Sequence, residues 1–242
     1  MTTRKNGTKT REAPDEAAPP VAAIESRGSR RKRETRERLL DAAFRLMAER
    51  GMDTVAINEI TEAADVGFGS FYNHFDSKDA IYREVISEAF DSFADALDEL
   101  VAVIDDPAEV IAVSIRHTLL RARRDPLWAH LLLREGLSPR ATSGGLAPRL
   151  LRDIEKGVAR RRFKVPDPMM TFVAVAGGVL AAIATELQIA ASEPTAIERF
   201  GRDGATHIPE RTAAVLLHSL GLTFAQAQAI ARRPLPARAL GG

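Results

Sequence analysis

Between Gly67 and Lys78 the chain gathers small, hydroxylic, aromatic and basic side chains in a pattern suited to holding a polyanion rather than to breaking a bond. Phe68, Phe71, Tyr72 and Phe75 recur at i, i+3, i+4 and i+7, which marks one face of a short helix. Gly67, Phe68, Gly69 and Ser70 stand at its start. There the glycines let backbone approach another surface closely, the Ser70 hydroxyl can meet a base or a phosphate, and Phe68 can press on a thymine methyl. Phe71 and Phe75 fall on the inward side and read as core. Other chemistry-bearing residues are dispersed. His74, His117, His130, His207 and His218 show no metal-ligand spacing with carboxylates, and the chain has no cysteine. No glycine-rich phosphate loop occurs, and Gly177-Gly178 lies in an apolar run that suits close helix packing. Asp91, Asp95, Asp98 and Asp105-Asp106 read as solvent-facing carboxylates. The sequence therefore predicts no enzyme, no metal and no cofactor.

The elements that must position this segment lie on both sides of it. Just upstream, Ile57, Ile60, Thr61 and Ala64 form the stripe of another short helix, and the chain breaks between the two at Asp65-Val66-Gly67, giving a helix-turn-helix over 56–75. A first helix is expected from Glu34 to Arg50, with Leu39, Leu40, Ala43, Phe44 and Met47 inward and Gly51 ending it. Thr35 at its start reads as an N-cap or as a phosphate ligand. Downstream, Ser77 caps a long helix through Val103 in which Ile81, Val85, Ala89, Phe93 and Leu97 step by four.

Composition supports a folded, helical body. The chain has 242 residues, 45% of them hydrophobic, enough for a substantial core. Absence of cysteine fits a reducing cytoplasm. The sequence predicts neither a membrane span nor a signal peptide, and Met169–Leu187, interrupted by Gly177-Gly178 and Glu186, reads as a buried helix. Pro and Gly punctuation separates helices at 107–123, from Pro126, at 147–163, at 169–192, at 209–220 and at 224–231, with a loop over 137–145 and no strand alternation. On the 147–163 helix Arg149, Arg152, Arg160, Arg161 and Arg162 read as a solvated face. The 169–192 helix is apolar nearly all round and needs partners on more than one side.

Charge is unevenly distributed. Residues 1–33 hold nine Lys or Arg against four Asp or Glu, a balance of +5, and the remaining 25 against 29 leave −4, for a total of +1. This Pro- and Ala-rich tail reads as disordered, with its basic cluster at 27–33 either a solubilising tail or an arm along a DNA backbone or minor groove.

Gly51, the helix at Ile57–Ala64, the run Gly69-x-x-Tyr72-x-His74-Phe75-x-x-Lys78 and the helix after it resemble the DNA-binding domain of the TetR family of bacterial transcriptional regulators, over residues 34–95. Two positions depart from that pattern: Asp65-Val66-Gly67 replaces a frequent Gly-Val-Ser, and Ala56 stands where Thr is frequent. The resemblance implies an all-α architecture: a helix-turn-helix domain over 34–80, a helical effector-binding and dimerisation domain over 81–231 and a C-terminal tail over 232–242. It places phosphate contacts at Tyr72, His74 and Lys78, with Thr35, Asn58, Gly67, Phe68, Gly69, Ser70 and Asn73 completing the DNA-binding set. A buried structural role for His74 stays open. It further implies a homodimer through helices near 169–192 and 209–220, a pseudo-palindromic double-stranded DNA operator, and release by a small-molecule effector that swings the helix at 81–97. Phe90, Phe93, Leu97, Ile115, Leu119, Trp128, Leu132, Ile154 and Phe172 are the candidate lining, an apolar set suited to a hydrophobic or amphipathic ligand, with His117, Arg134 and Glu135 as candidate polar contacts. The alternative is an all-helical ligand-binding or scaffolding protein whose helix-turn-helix is only structural.

Overall fold

In the computed structural model the described residues are 1–2, 26–139, 144–191 and 206–236, and they form an all-helical chain without strands. Helix α1 (Arg27–Arg50) begins at Ser26, whose hydroxyl accepts from the Ser29 N–H at 3.1 Å. It therefore starts seven residues before the expected Glu34, and the basic cluster 27–33 is its first two turns rather than a tail. The apolar stripe does not reach these turns, but Arg30–Glu34 (3.4 Å) and Arg33–Glu37 (3.1 Å) pair one helical turn apart and support them. The tail segment 3–25 and the expected C-terminal tail from 237 onward lie outside the described residues. Gly51, at φ 81°, ends α1 in a conformation that side chains rarely adopt, and its N–H returns to the Met47 carbonyl.

After a single 3-10 turn, α2 (Ile57–Ala63) and α3 (Phe68–Tyr72) form the helix-turn-helix. Ala56 offers no capping oxygen, and Glu59 instead accepts the Ala56 N–H at 2.8 Å while pairing with Arg50. Leu39, Ala43, Met47, Ile60, Phe71 and Phe75 close a core under these helices. Ser77 caps α4 (Lys78–Ile86), which runs through a π turn (Ser87–Asp91) into α5 (Ser92–Val101). A π turn carries one residue more than an α turn. Here the indole N–H of Trp128 donates to the Ala89 carbonyl within that turn, at 2.9 Å.

The body is built around α6 (Pro107–Arg124), which packs against α5, α7 (Pro126–Glu135), α8 (Leu146–Ala159), α9 (Pro168–Ala191), α10 (Ile208–Ser219) and α11 (Phe224–Ala231). Asp106-Pro107 and Asp125-Pro126 start α6 and α7 in the same way: the carboxylate accepts an early N–H and proline occupies the first turn. Helix α8 stops at Ala159, before the expected Phe163. Arg161 takes φ 55°, the N–H groups of Arg162 and Phe163 both return to the Gly157 carbonyl, and the Phe163 ring lies against Gly157. Of the arginines expected on a solvated face, Arg160 and Arg161 are exposed, but Arg149 and Arg152 pair with Asp95 and Asp98 of α5, and Arg162 with Asp106. Helix α9 is long and apolar enough by composition to cross a membrane, yet it packs on one side against α6, α7, α8 and α10. Contrary to the buried helix expected, only 17% of its apolar stretch is buried, and Met169, Met170 and Val173 are exposed together with Val215 of α10.

Candidate nucleic-acid interface and ligand cavity

The N-terminal turns of α1 and the start of α3 face each other across an open groove. Its walls carry Arg31, Lys32, Thr35 and Arg38 from α1, and Gly67, Ser70, Asn73 and His74 from the helix-turn-helix. Three cations and two hydroxyls thus gather beside the first turn of α3, an arrangement that suits phosphate oxygens. Asp65, at φ 51°, is the acidic side chain of this groove, and its carbonyl accepts weakly from Arg38 at 3.4 Å. Phe68 and Tyr72 stand beside the groove, 55% and 52% exposed, with their rings edge-to-face at 5.8 Å. Tyr72 also packs edge-on against buried Phe71, which fixes the direction of its phenol. Gly69 and Asn58 are exposed nearby, on α3 and α2.

Two residues of the expected set have other attachments. The Lys78 ammonium donates to the carbonyls of Met52 (3.1 Å), Asp53 (3.4 Å) and Val55 (3.0 Å), so it ties the turn before α2 to the start of α4 and does not line the groove. His74 does line it, but its Nδ1 is buried without a hydrogen-bond partner. Burial, with the charges of Lys32 and Arg36 added, holds its imidazole below the ordinary value, so the ring stays neutral at neutral pH. Arg31 and Lys32 belong to the cluster expected as a solubilising tail or a DNA-following arm, and Arg38 to a helix in which only the apolar stripe and Thr35 stand out; their i, i+1 and i+7 placement on one helix face is the signal that joins them.

A second concavity lies within the body, a cavity of about 100 Å³ between α5, α6, α8, α9 and the end of α7. Leu97, Ile115, Leu132 and Phe172 line it as expected, joined by Ile111, Val175 and Val179. Leu119 and Ile154 are core, at 0% and 2% exposure. Phe90 and Phe93 each pack edge-to-face on Trp128, with centroids 5.9 and 5.2 Å away, and Phe93 and Trp128 line a separate cleft beside α1. Stepping by four follows the α1 side of the α4–α5 rod through Val85, Ala89 and Phe93 and reaches the cavity only at Leu97, beside Ala94 and Asp98.

The polar contacts also differ from expectation. Arg134 donates to the carbonyls of Ala48 (2.9 Å) and Glu49 (2.6 Å) at the end of α1, and Glu135 accepts from the Tyr82 hydroxyl at 2.6 Å. These residues join body to reading head. His117 does not line the cavity; burial first, then Arg116 and Arg124, holds its pKa below the ordinary value. The polar wall is instead Asp98, Arg149 and Asp153, with the hydroxyls of Ser114 and Thr118. Arg149 donates to Asp98 at 3.0 Å, and Arg152 grips Asp98 (2.6 and 3.0 Å) and Asp153 (3.0 and 3.1 Å) at once. Hydrogen bonds from Arg152, then its charge and that of Arg149, hold the Asp98 carboxyl below its usual value despite partial burial. The spacing of Asp91, Asp95 and Asp98 against Arg149 and Arg152 was the sequence signal for this network.

The same arrangement of reading head and body is found in known proteins. Residues 39–85 match the family of bacterial regulatory proteins of the tetR type, and residues 106–233 match the tetracyclin repressor-like C-terminal domain. The chain belongs to the TetR family of bacterial transcriptional regulators. An uncharacterized HTH-type transcriptional regulator of Mycobacterium tuberculosis is 30% identical over 109 residues, 45% of this chain and 54% of that protein. The transcriptional repressor KstR2 of Rhodococcus jostii is 39% identical over 67 residues, 28% of this chain and 33% of KstR2. The chain thus spans about half or less of the length of these curated relatives. Among solved structures, that of RolR in complex with resorcinol is similar at a TM-score of 0.61 and 36% identity, covering 86% of this chain and 98% of RolR. This TetR-family chain is assigned by these likenesses to regulators of transcription and not to enzymes.

Proposed function

We propose that this protein is a dimeric repressor that binds a pseudo-palindromic DNA operator and is released by a small, largely apolar effector. The observation that carries the reading is the groove in which Arg31, Lys32, Thr35 and Arg38 of α1 face Gly67, Ser70 and Asn73 beside the exposed Phe68 and Tyr72. The α1 cations and the hydroxyls of Thr35, Ser70 and Tyr72 hold phosphates, and the start of α3, with Phe68 and Gly69 foremost, reads base edges in the major groove. One helix of five residues reads too few bases to specify a site. A second copy docked on the exposed faces of α9 and α10 supplies a second reading head, about 34 Å away on successive turns of one DNA face. The effector occupies the cavity between α5, α6, α8 and α9. Support comes from its mixed apolar and polar wall and from RolR, whose structure was solved with resorcinol.

Selection of bound sequences from random duplex DNA with the full-length protein tests this reading. An enriched inverted repeat is the expected result. Binding without enrichment overturns the specific-regulator reading, and no binding by folded protein favours a ligand-binding protein without DNA recognition.

A further inference from the structure

We infer that the cavity selects an uncharged, hydroxylated ring and rejects the corresponding carboxylate, with Asp153 as the residue that sets the choice. This rests on the reading of the cavity as the effector site.

The hydrogen-bonding capacity left on the polar wall carries the inference. Arg149 has five N–H groups. One goes to Asp98 through Nε (3.0 Å), one to the Gly145 carbonyl through Nη1 (2.7 Å) and one to Asp95 through Nη2, which leaves two donors. Asp98 accepts three bonds, from Arg149 and twice from Arg152. Asp153 accepts two from Arg152 and one from Lys156 at 3.4 Å. A carboxylate offers about four acceptor positions, so each retains room for a further donor. A wall with open donors on a guanidinium and open acceptors on two carboxylates suits a hydroxyl, which gives one proton and takes another. A ligand carboxylate can only accept, so it satisfies the arginine and leaves both aspartates facing it.

Charge placement sharpens the choice. Of the charged groups on the wall, two are carboxylates and one is a guanidinium. The compensating cations, Arg152 and Lys156, contact those carboxylates without lining the cavity. An entering anion therefore meets two carboxylates at the cavity surface with Arg152 and Lys156 set behind them, and Asp153, whose side chain is only 11% exposed, is shielded little by solvent. The rest of the wall, Leu97, Ile111, Ile115, Leu132, Phe172 and Val175, takes the ring faces, and Ser114 and Thr118 of α6 add hydroxyls for a further polar substituent. The cavity volume of about 100 Å³ restricts the ligand to the size of one ring.

A matched pair of probes tests this by calorimetry on the full-length protein at neutral pH: 1,3-dihydroxybenzene and 3-hydroxybenzoate, which differ by one hydroxyl exchanged for a carboxylate. The wild type is expected to bind the diol about a hundred-fold or more tightly than the acid, since like charge placed opposite like charge costs several tens-fold in affinity at least. Asp153→Asn is expected to shrink that ratio about ten-fold or more by strengthening the acid. Ala176→Phe, which fills the cavity from α9, serves as the locator. Equal binding of both probes to the wild type, abolished by Ala176→Phe, overturns the charge selection and leaves the effector site standing. An unchanged ratio in folded Asp153→Asn overturns the role of Asp153. Failure of both probes to bind the wild type, or binding that survives Ala176→Phe, refutes the effector-site reading and the inference with it. The wild-type comparison decides the selection even where the variant does not fold.

Discussion

Replacing Lys78 by methionine separates two roles for one ammonium. In the TetR-type pattern this lysine falls among phosphate contacts, yet here it binds three carbonyls of the segment before α2, at 3.0, 3.1 and 3.4 Å. Methionine keeps the aliphatic stem and removes the charge. A hydrogen bond to a charged group contributes about 1.5–3 kcal/mol when buried. Lys78 is half-buried and the third contact is long, so two effective bonds, discounted for water that can replace them, give a total near 2 kcal/mol. For a chain of this size each kcal/mol moves the melting temperature by about 2–4 °C, and the expected fall is about 4–8 °C. DNA affinity, measured by fluorescence anisotropy from low to moderate salt, should keep its slope of log K against log salt, because no phosphate loses its counter-charge. The intercept should drop modestly as the turn at 52–55 loosens the seat of α2. A slope reduced by about 0.9 with an unchanged melting temperature would refute this argument and return Lys78 to the DNA backbone.

Replacing Arg31 and Lys32 together by alanine should reduce the magnitude of the same slope by about two, while leaving the preferred sequence unchanged in a binding selection. Gly157→Ala should destabilise the body by about 2–3 kcal/mol in urea unfolding, because its Cβ would lie 2.0 Å from the Phe163 ring and must unseat it. Acid should weaken the fold in two stages. His117, held below 6.5 mainly by burial, is protonated more readily in the unfolded chain, so the stability this gives is full above that value and lost as pH falls through the lower folded one. His117→Gln should flatten this first stage in unfolding midpoints compared between about pH 7.5 and pH 5.5. Asp98 and Asp106, held below 3.8 chiefly by Arg152 and Arg162, contribute stability that is complete above that value and is lost only below it.

The helix starts were legible where one residue fixed them: Ser77, Pro107 and Pro126 all mark observed N-termini. The start of α1 was not, since local i to i+4 ion pairs support its first turns and leave no apolar period to read. The end of α8 depends on Phe163 finding Gly157, a contact across a turn that periodicity does not encode. The site divides along the same line. Residues of α3 were legible because a short helix after a turn has one exposed side, whereas four of the nine expected cavity residues line the cavity, because which apolar face meets which neighbour is set by packing. Arg149 and Arg152 show the converse failure: charged residues counted one helix at a time look solvated, and only the facing aspartates of α5 reveal them as bound.

The π turn at Ser87–Asp91 gives the rod between reading head and cavity a mechanical character of its own. Its surplus residue is stabilised from outside the helix, by the Trp128 indole on the Ala89 carbonyl and by Asp91 receiving the Gly145 N–H at 2.6 Å, and from within it by the Ser87 hydroxyl on Asp91 at 2.6 Å. Such a surplus is either held or absorbed, since half a residue cannot be inserted in a helix. Absorbing it would displace α4 along its axis by about 1.5 Å and turn it by roughly 100° relative to α5. Motion through this rod would therefore be counted in whole residues, and an effector signal of the kind proposed would arrive as a step rather than as a gradient.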